Sequence, residues 1–172
     1  MAKLLTDTTY AVRGRLVAVD NSGLVGPLIT LRVPPATSDV QRPGSYIDFV
    51  LLDTHRKTLQ KRIHVDDELQ VIIHAATPAV SPGTRNELTF LTQPRASCQR
   101  ISHCRRVFSA ITPVNGKLVD NDAHHTIVVD TGVPIVVSLL EHKPTQTQRL
   151  KLNSWVTFWP SPPTHGIILG KV

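Results

Sequence analysis

Apolar and polar positions alternate in short runs along most of this chain, and prolines or small polar residues break the runs. A period of two marks a strand with one buried face, and the breaks mark places where a ladder cannot continue. Residues 13–19, RGRLVAV, alternate loosely. DNSG at 20–23 supplies turn residues, and PLITLRV at 27–33 predicts the returning strand. PPATSDVQRPG (34–44) predicts a loop, SYIDFVLLD (45–53) a strand, and THRKTLQKR a polar connector, either a hairpin tip or one helical turn. In RIHVDDELQVIIHA, Ile63, Val65, Leu69, Val71 and Ile73 share one parity, which predicts one long strand. TPAVSPGTRNE (77–87) is a loop and LTFLTQ (88–93) a short strand.

The second half reads the same way. KLVDNDAHH is a strand end and a turn; TIVVDTG and VPIVVSLL give strand, turn and strand. KPTQTQ (143–148) is a polar loop, RLKLNSWVTFW (149–159) a further strand, PSPPTHG a tight loop and IILGKV a closing strand. Residues 95–111 are the one place where a helix competes. Cys98, Ile101, Cys104, Phe108 and Ile111 recur at three- and four-residue steps, the spacing of one helical face. The rival there is an extended strand through RRVFSAI, since Ser, His and β-branched positions lower helix propensity.

Two internal matches suggest either a repeat or the convergence of simple strand-turn-strand patterns. LVAVDNSGLVGPLITL (16–31) can be laid over TIVVDTGVPIVVSL (126–139) with a short gap. RIHVDDELQV (62–71) can be laid over RLKLNSWVTF (149–158) position for position. The first strand with its turn, RGRLVAVDNSG, and the later strands IHVDDELQVII and LKLNSWVTF give the chain a pattern that resembles the OB-fold. That resemblance implies small five-stranded barrels of the kind often used on single-stranded nucleic acid. The expected fold class is all-β: two small OB-like barrels or sandwich halves, with at most one helix in the central basic segment. The expected division is a first barrel-like half at 1–87, a basic connecting segment at 88–116 and a second β half at 117–172.

Composition agrees with strands. The 172 residues are 41% hydrophobic, with 13 Pro and one Met, so Val, Ile and Leu must build the core. The N-terminal MAKLLTDTTYAVRG lacks the apolar core of a signal peptide, and no run approaches the ~20 apolar residues of a membrane helix. A cytoplasmic protein without a membrane partner is the default expectation.

Charge sharpens the functional question. The net charge is +6, which attracts polyanions. Residues 88–118 contain no Asp or Glu but carry Arg95, Arg100, Arg105, Arg106 and Lys117, a concentration suited to a phosphate backbone or to an ordinary solvated face. In 149–159, period two puts Trp155, Thr157 and Trp159 on one face with Arg149 and Lys151, opposite Val156 and Phe158. Flat rings beside cations are what a single-stranded nucleic-acid groove needs, because bases stack on the rings while cations hold phosphates. The matching face of the earlier segment reads Arg62, His64, Asp66, Glu68 and Gln70. It is acidic and ring-free, so the second half is expected to bind better. The competing use of such tryptophans is packing against the other half or a partner subunit.

Other chemistry is weakly signalled. Cys98, His103 and Cys104 have zinc-ligand chemistry, as do His124 and His125, but the spacing is wrong for the familiar fingers; buried, inert cysteines are expected and no metal or cofactor is called for. Asp66, Asp67 and Glu68, like Asp120 and Asp122, suit a solvent-side turn better than convergence on a cation, since strand neighbours point to opposite faces. No Gly-rich phosphate loop, GxSxG or HExxH is present. The leading expectation is non-enzymatic binding of single-stranded DNA or RNA by Arg95, Arg100, Arg105, Arg106, Arg149, Lys151, Trp155 and Trp159. The alternative is a structural or assembly module that uses strand edges and the Trp face for self-association, as a homo-oligomer, or for protein–protein contact.

Overall fold

The computed structural model describes residues 3–22, 25–34, 46–60, 62–83, 114–122, 125–140 and 150–172. Two 3-10 turns, Lys3–Leu5 and Thr8–Tyr10, precede the strands. The strands are β1 (Val12–Asp20), β2 (Leu28–Val33), β3 (Ile47–Asp53), β4 (Glu68–Thr77), β5 (Val80–Pro82), β6 (Val114–Asn121), β7 (Thr126–Asp130), β8 (Pro134–Leu139), β9 (Trp155–Phe158) and β10 (Ser161–Lys171). One helical turn, α1 (Lys57–Gln60), links β3 to β4, as the polar connector there allowed. The protein is all-β, and the 95–111 helix expectation lies outside the described residues.

The sheet order is β1-β2-β3-β10-β4-β8-β7-β6-β9-β5, and β1 also pairs with β4. That extra pairing closes β1, β2, β3, β10 and β4 into a five-stranded barrel of OB-like connectivity: β3 runs parallel to β10, and β1 antiparallel to β4. Closure removes the open edges that a strand ladder would otherwise present. The remaining strands repeat the scheme. β8 runs parallel to the end of β4, β6 antiparallel to β9, and after Pro78–Ala79 the same chain pairs with β9 as β5.

The two halves thus exchange their last strands. The continuation of β4 serves the second set, and β10 from the C-terminus completes the first. A double role explains the apolar run in β4. Val71, Ile73 and Ala75 enter the main core with Leu16, Phe49, Leu118 and Phe158, while Ile72 packs on the opposite face with Leu4, Val128, Val136 and Ile167. A strand buried on both faces reads as a continuous hydrophobic run. The N-terminal turns cover that second cluster, and the Tyr10 hydroxyl donates a hydrogen bond to Asp120.

The repeat is real, but its alignment differs in part from expectation. VRGRLV at 12–17 corresponds to VNGKLV at 114–119. In β1, Val12, Gly14 and Arg15 stand opposite Val71, Leu69 and Glu68; in β6, Val114, Gly116 and Lys117 stand opposite Phe158, Val156 and Trp155. Each strand has an irregularity after its leucine, between Leu16 and Ala18 and between Leu118 and Asp120. A Cβ on Gly14 would lie 2.8 Å from the Arg32 carbonyl oxygen, and one on Gly116 would lie 2.4 Å from that of Asp130. Both positions need glycine because another backbone passes too closely for a side chain.

The match of 62–71 with 149–158 holds over the described residues, from 150 onward. Asp66 and Asn153 both have positive φ, 76° and 65°. Asp66 N–H donates to Leu16 O and Leu16 N–H to Asp67 O, at 2.8 and 2.9 Å; Asn153 N–H donates to Leu118 O and Leu118 N–H to Ser154 O, at 2.7 and 2.9 Å. Asp and Asn are the side chains that tolerate this left-handed conformation best after Gly. The other proposed match is one strand out of step. Residues 16–31 span β1 and β2, whereas 126–139 span β7 and β8; the partner of β1 is β6. Apolar strands around an Asp- and Gly-bearing turn look alike wherever they occur, so the wrong pair matched.

These turns also shorten two expected strands. Residues 62–67 and 151–154 do not continue the ladders; β4 begins at Glu68 and β9 at Trp155. Val65 and Leu152, expected inside, are 49% and 57% exposed. Asp67 accepts a hydrogen bond from His64 N–H and pairs with Lys171, which hold its carboxyl below the usual carboxylate range. Asp66 and Asp67 therefore belong to a capped turn on the solvent side, and Glu68 opens β4.

Candidate nucleic-acid interface

Four residues of β9 carry the tryptophan face. Val156 and Phe158 are buried in the core, while Trp155 and Thr157 point outward and remain half-buried. Trp159, just past the strand, is 52% exposed, and its carbonyl accepts a hydrogen bond of 2.8 Å from Thr77 Oγ1. The alternation read in 154–159 is therefore correct, and the core does not require either indole. Trp155 stands opposite Lys117 in register, with the Lys117 ammonium 5.5 Å from the ring centroid. A cation over the face of an indole is attracted by its quadrupole and holds the ring in place.

The expected companions fare differently. Lys151 is exposed, but it sits in the turn before β9 and does not share the strand face of Trp155. The reason is the left-handed residue Asn153, which breaks the period-two pattern between them. Arg149, Arg95, Arg100, Arg105 and Arg106 lie outside the described residues, as do Cys98, His103, Cys104 and His124. Lys117 was counted only as bulk charge, because nothing local to it shows that β6 and β9 are neighbours.

The corresponding place on the first barrel is more basic than the sequence suggested. An open groove of about 340 Å³ is bordered by Arg13, Arg15, Arg32, Tyr46 and Glu68. Arg13 and Arg15 project outward between the buried Val12, Gly14 and Leu16. Arg32 is clamped by Asp48 through Nε–Oδ1 at 2.7 Å and Nη2–Oδ2 at 2.8 Å, a bidentate pair. Its guanidinium carbon is also 6.0 Å from the centroid of Tyr46, which is 62% exposed. The acidic face inferred from Arg62, His64, Asp66, Glu68 and Gln70 does not exist as a unit, since 62–67 is a turn. Of that set, Glu68 alone lines the groove. The alternation of Arg13 and Arg15 was legible, but the approach of Arg32 and Tyr46 depends on strand register.

One more polar cluster lies where the halves meet. The rings of His74 on β4 and His165 on β10 are 5.8 Å apart. His74 Nε2 is 2.9 Å from Ser138 Oγ on β8, and His165 Nδ1 is 3.0 Å from Thr54 Oγ1. Burial, with the neighbouring His165, pushes the His74 pKa down to about 4. Its imidazole is therefore neutral at pH 7. Among the described residues, no group of three or more His, Cys, Asp or Glu side chains is placed to hold a metal ion, and no helix is long and apolar enough to cross a membrane. No protein-family model matches this chain, and no curated protein is significantly similar to it.

Proposed function

We propose that this protein binds single-stranded nucleic acid without catalysing a reaction, in a setting consistent with the cytoplasm. What carries the reading is the outward Trp155 beside Lys117, on a β9 strand whose core face is already filled by Val156 and Phe158, with the exposed Trp159 just past its end. Bases would stack on the indoles, each worth about 1–3 kcal/mol. Lys117 and Lys151, with Arg149 and the central Arg95, Arg100, Arg105 and Arg106, would hold phosphates. Binding without sequence preference needs only π-faces and cations, which is the inventory here.

The test is a tryptophan-fluorescence titration with a single-stranded oligonucleotide at two salt concentrations, repeated on Trp159→Ala and Trp155→Ala. Quenching that weakens with salt, and weakens further in both variants, supports the reading. A change in particle size with protein concentration, indifferent to oligonucleotide, would replace it with self-association through the exposed Trp159 and Leu140, whose backbones both bond to Thr77: the Trp159 carbonyl accepts from its hydroxyl and the Leu140 N–H donates to its carbonyl.

A further inference from the structure

We propose that the groove between Arg13, Arg15 and Tyr46 is a second subsite for the same strand, so that one chain holds two segments of single-stranded nucleic acid. This rests on the reading above and extends it to the first barrel. The argument starts from the repeat. Arg15 opposite Glu68 in β1–β4 occupies the position of Lys117 opposite Trp155 in β6–β9. Across the other side of each strand, Arg32 stands opposite Arg15 where Asp130 stands opposite Lys117. The groove is thus the pseudo-equivalent of the tryptophan face, built on the same glycine and the same leucine irregularity.

Its chemistry suits a phosphodiester and a base. Arg13 and Arg15 are exposed, and among the described residues no carboxylate pairs with either. Arg32 is already neutralised by Asp48. The groove therefore offers two available guanidinium groups against the single carboxylate of Glu68, enough to pair with the phosphodiesters of a strand. Arg32 has a different task. Clamped by Asp48 on one side, it holds its guanidinium against the Tyr46 ring on the other. An exposed ring kept in place this way loses little freedom when a base stacks on it. The two subsites divide the work unequally. The first has more cations and one ring. At the matching positions the second replaces Arg13 with Asn115, Arg15 with Lys117, Arg32 with Asp130 and Glu68 with Trp155.

The experiment is calorimetric titration of the full chain with an oligothymidylate of about six nucleotides, near the lower end of the site size of one barrel. Two oligonucleotides per chain are expected. Arg13→Ala with Arg15→Ala should remove one of them and leave tryptophan quenching by the other. Trp155→Ala with Trp159→Ala should do the reverse. Tyr46→Ala should weaken the first site about 10-fold while Tyr46→Phe keeps it. One oligonucleotide per chain, with no response to the arginine pair, would overturn the second subsite and spare the tryptophan reading; no binding at low salt would overturn both. Displacement of the oligonucleotide from the first site by polyglutamate of equal charge would also overturn it, since the groove would then select acidic chains in general.

Discussion

Single side chains make sharply different contributions in this protein, and their surroundings say which way each substitution goes. Trp159 is half exposed and supplies nothing to the core. Trp159→Ala should leave thermal stability almost unchanged and weaken oligonucleotide binding about 5- to 100-fold, as read by fluorescence. Gly116 is the opposite case: a Cβ there meets the Asp130 backbone at 2.4 Å. Gly116→Ala should lower stability by about 1–3 kcal/mol or more in a urea unfolding curve, because backbone cannot move aside cheaply. His74 makes stability depend on pH. Its folded pKa is about 4 against the ordinary imidazole value of 6.5, so between those values the unfolded chain binds the extra proton. Stability from this residue is complete above pH 6.5 and declines as pH falls toward 4, by roughly 2–3 kcal/mol at most. Unfolding curves measured across that range should slope less in His74→Gln.

At the level of elements, β10 bears the greatest responsibility. It is the fifth strand of the closed barrel, lying between β3 and β4, and Lys57 Nζ on α1 donates to its Ile168 carbonyl at 2.6 Å. Pro162 and Pro163 cannot donate to a ladder, and the β10–β4 register shifts between Ser161 and His165. Beyond them the pairing is regular to Lys171 apart from one irregularity near Gly170. Removing residues 160–172 would open the edges of β3 and β4 and expose Leu51 and Val71, which β10 now helps to bury. That deletion should yield an aggregated or unfolded chain by circular dichroism and size-exclusion chromatography, although it spares most of the first barrel's own sequence. The 62–67 and 151–154 turns show why strand ends were misjudged. Alternation continues through IHVDDEL and LKLNSWV as written, but Asp66 and Asn153 reverse the backbone. Period two reports which side chains are apolar; it does not report the φ angle of one residue between them.

For the molecule as a whole, the strand exchange makes the two halves thermodynamically dependent. Neither the barrel nor its repeat can form without the chain returning from the other half, so a single cooperative unfolding transition is expected in calorimetry, with equal calorimetric and van't Hoff enthalpies. Two separate transitions would show that the shared β4 does not couple them. The basic character acts at this scale too. Under the proposed function, the logarithm of the affinity should fall linearly with the logarithm of salt concentration, and Arg13→Ala with Arg15→Ala should flatten that slope by about 1–2.

The amino-acid sequence by itself determined the strand-rich class, most strand positions and the outward aim of Trp155 and Trp159, and left the connector after β3 open between a hairpin tip and one helical turn. Each feature it determined follows from the transfer free energy of side chains within a few residues of one another, a local quantity that alternation displays. Tertiary structure alone decided which strands close the barrel, that β10 crosses to the first half, that Lys117 covers Trp155, and that Arg32, held by Asp48, meets Tyr46 along one wall of a groove. These depend on register between strands far apart in the chain, such as Lys117 opposite Trp155, where many partners of similar apolarity compete. Only the packing of the strands together selects among them.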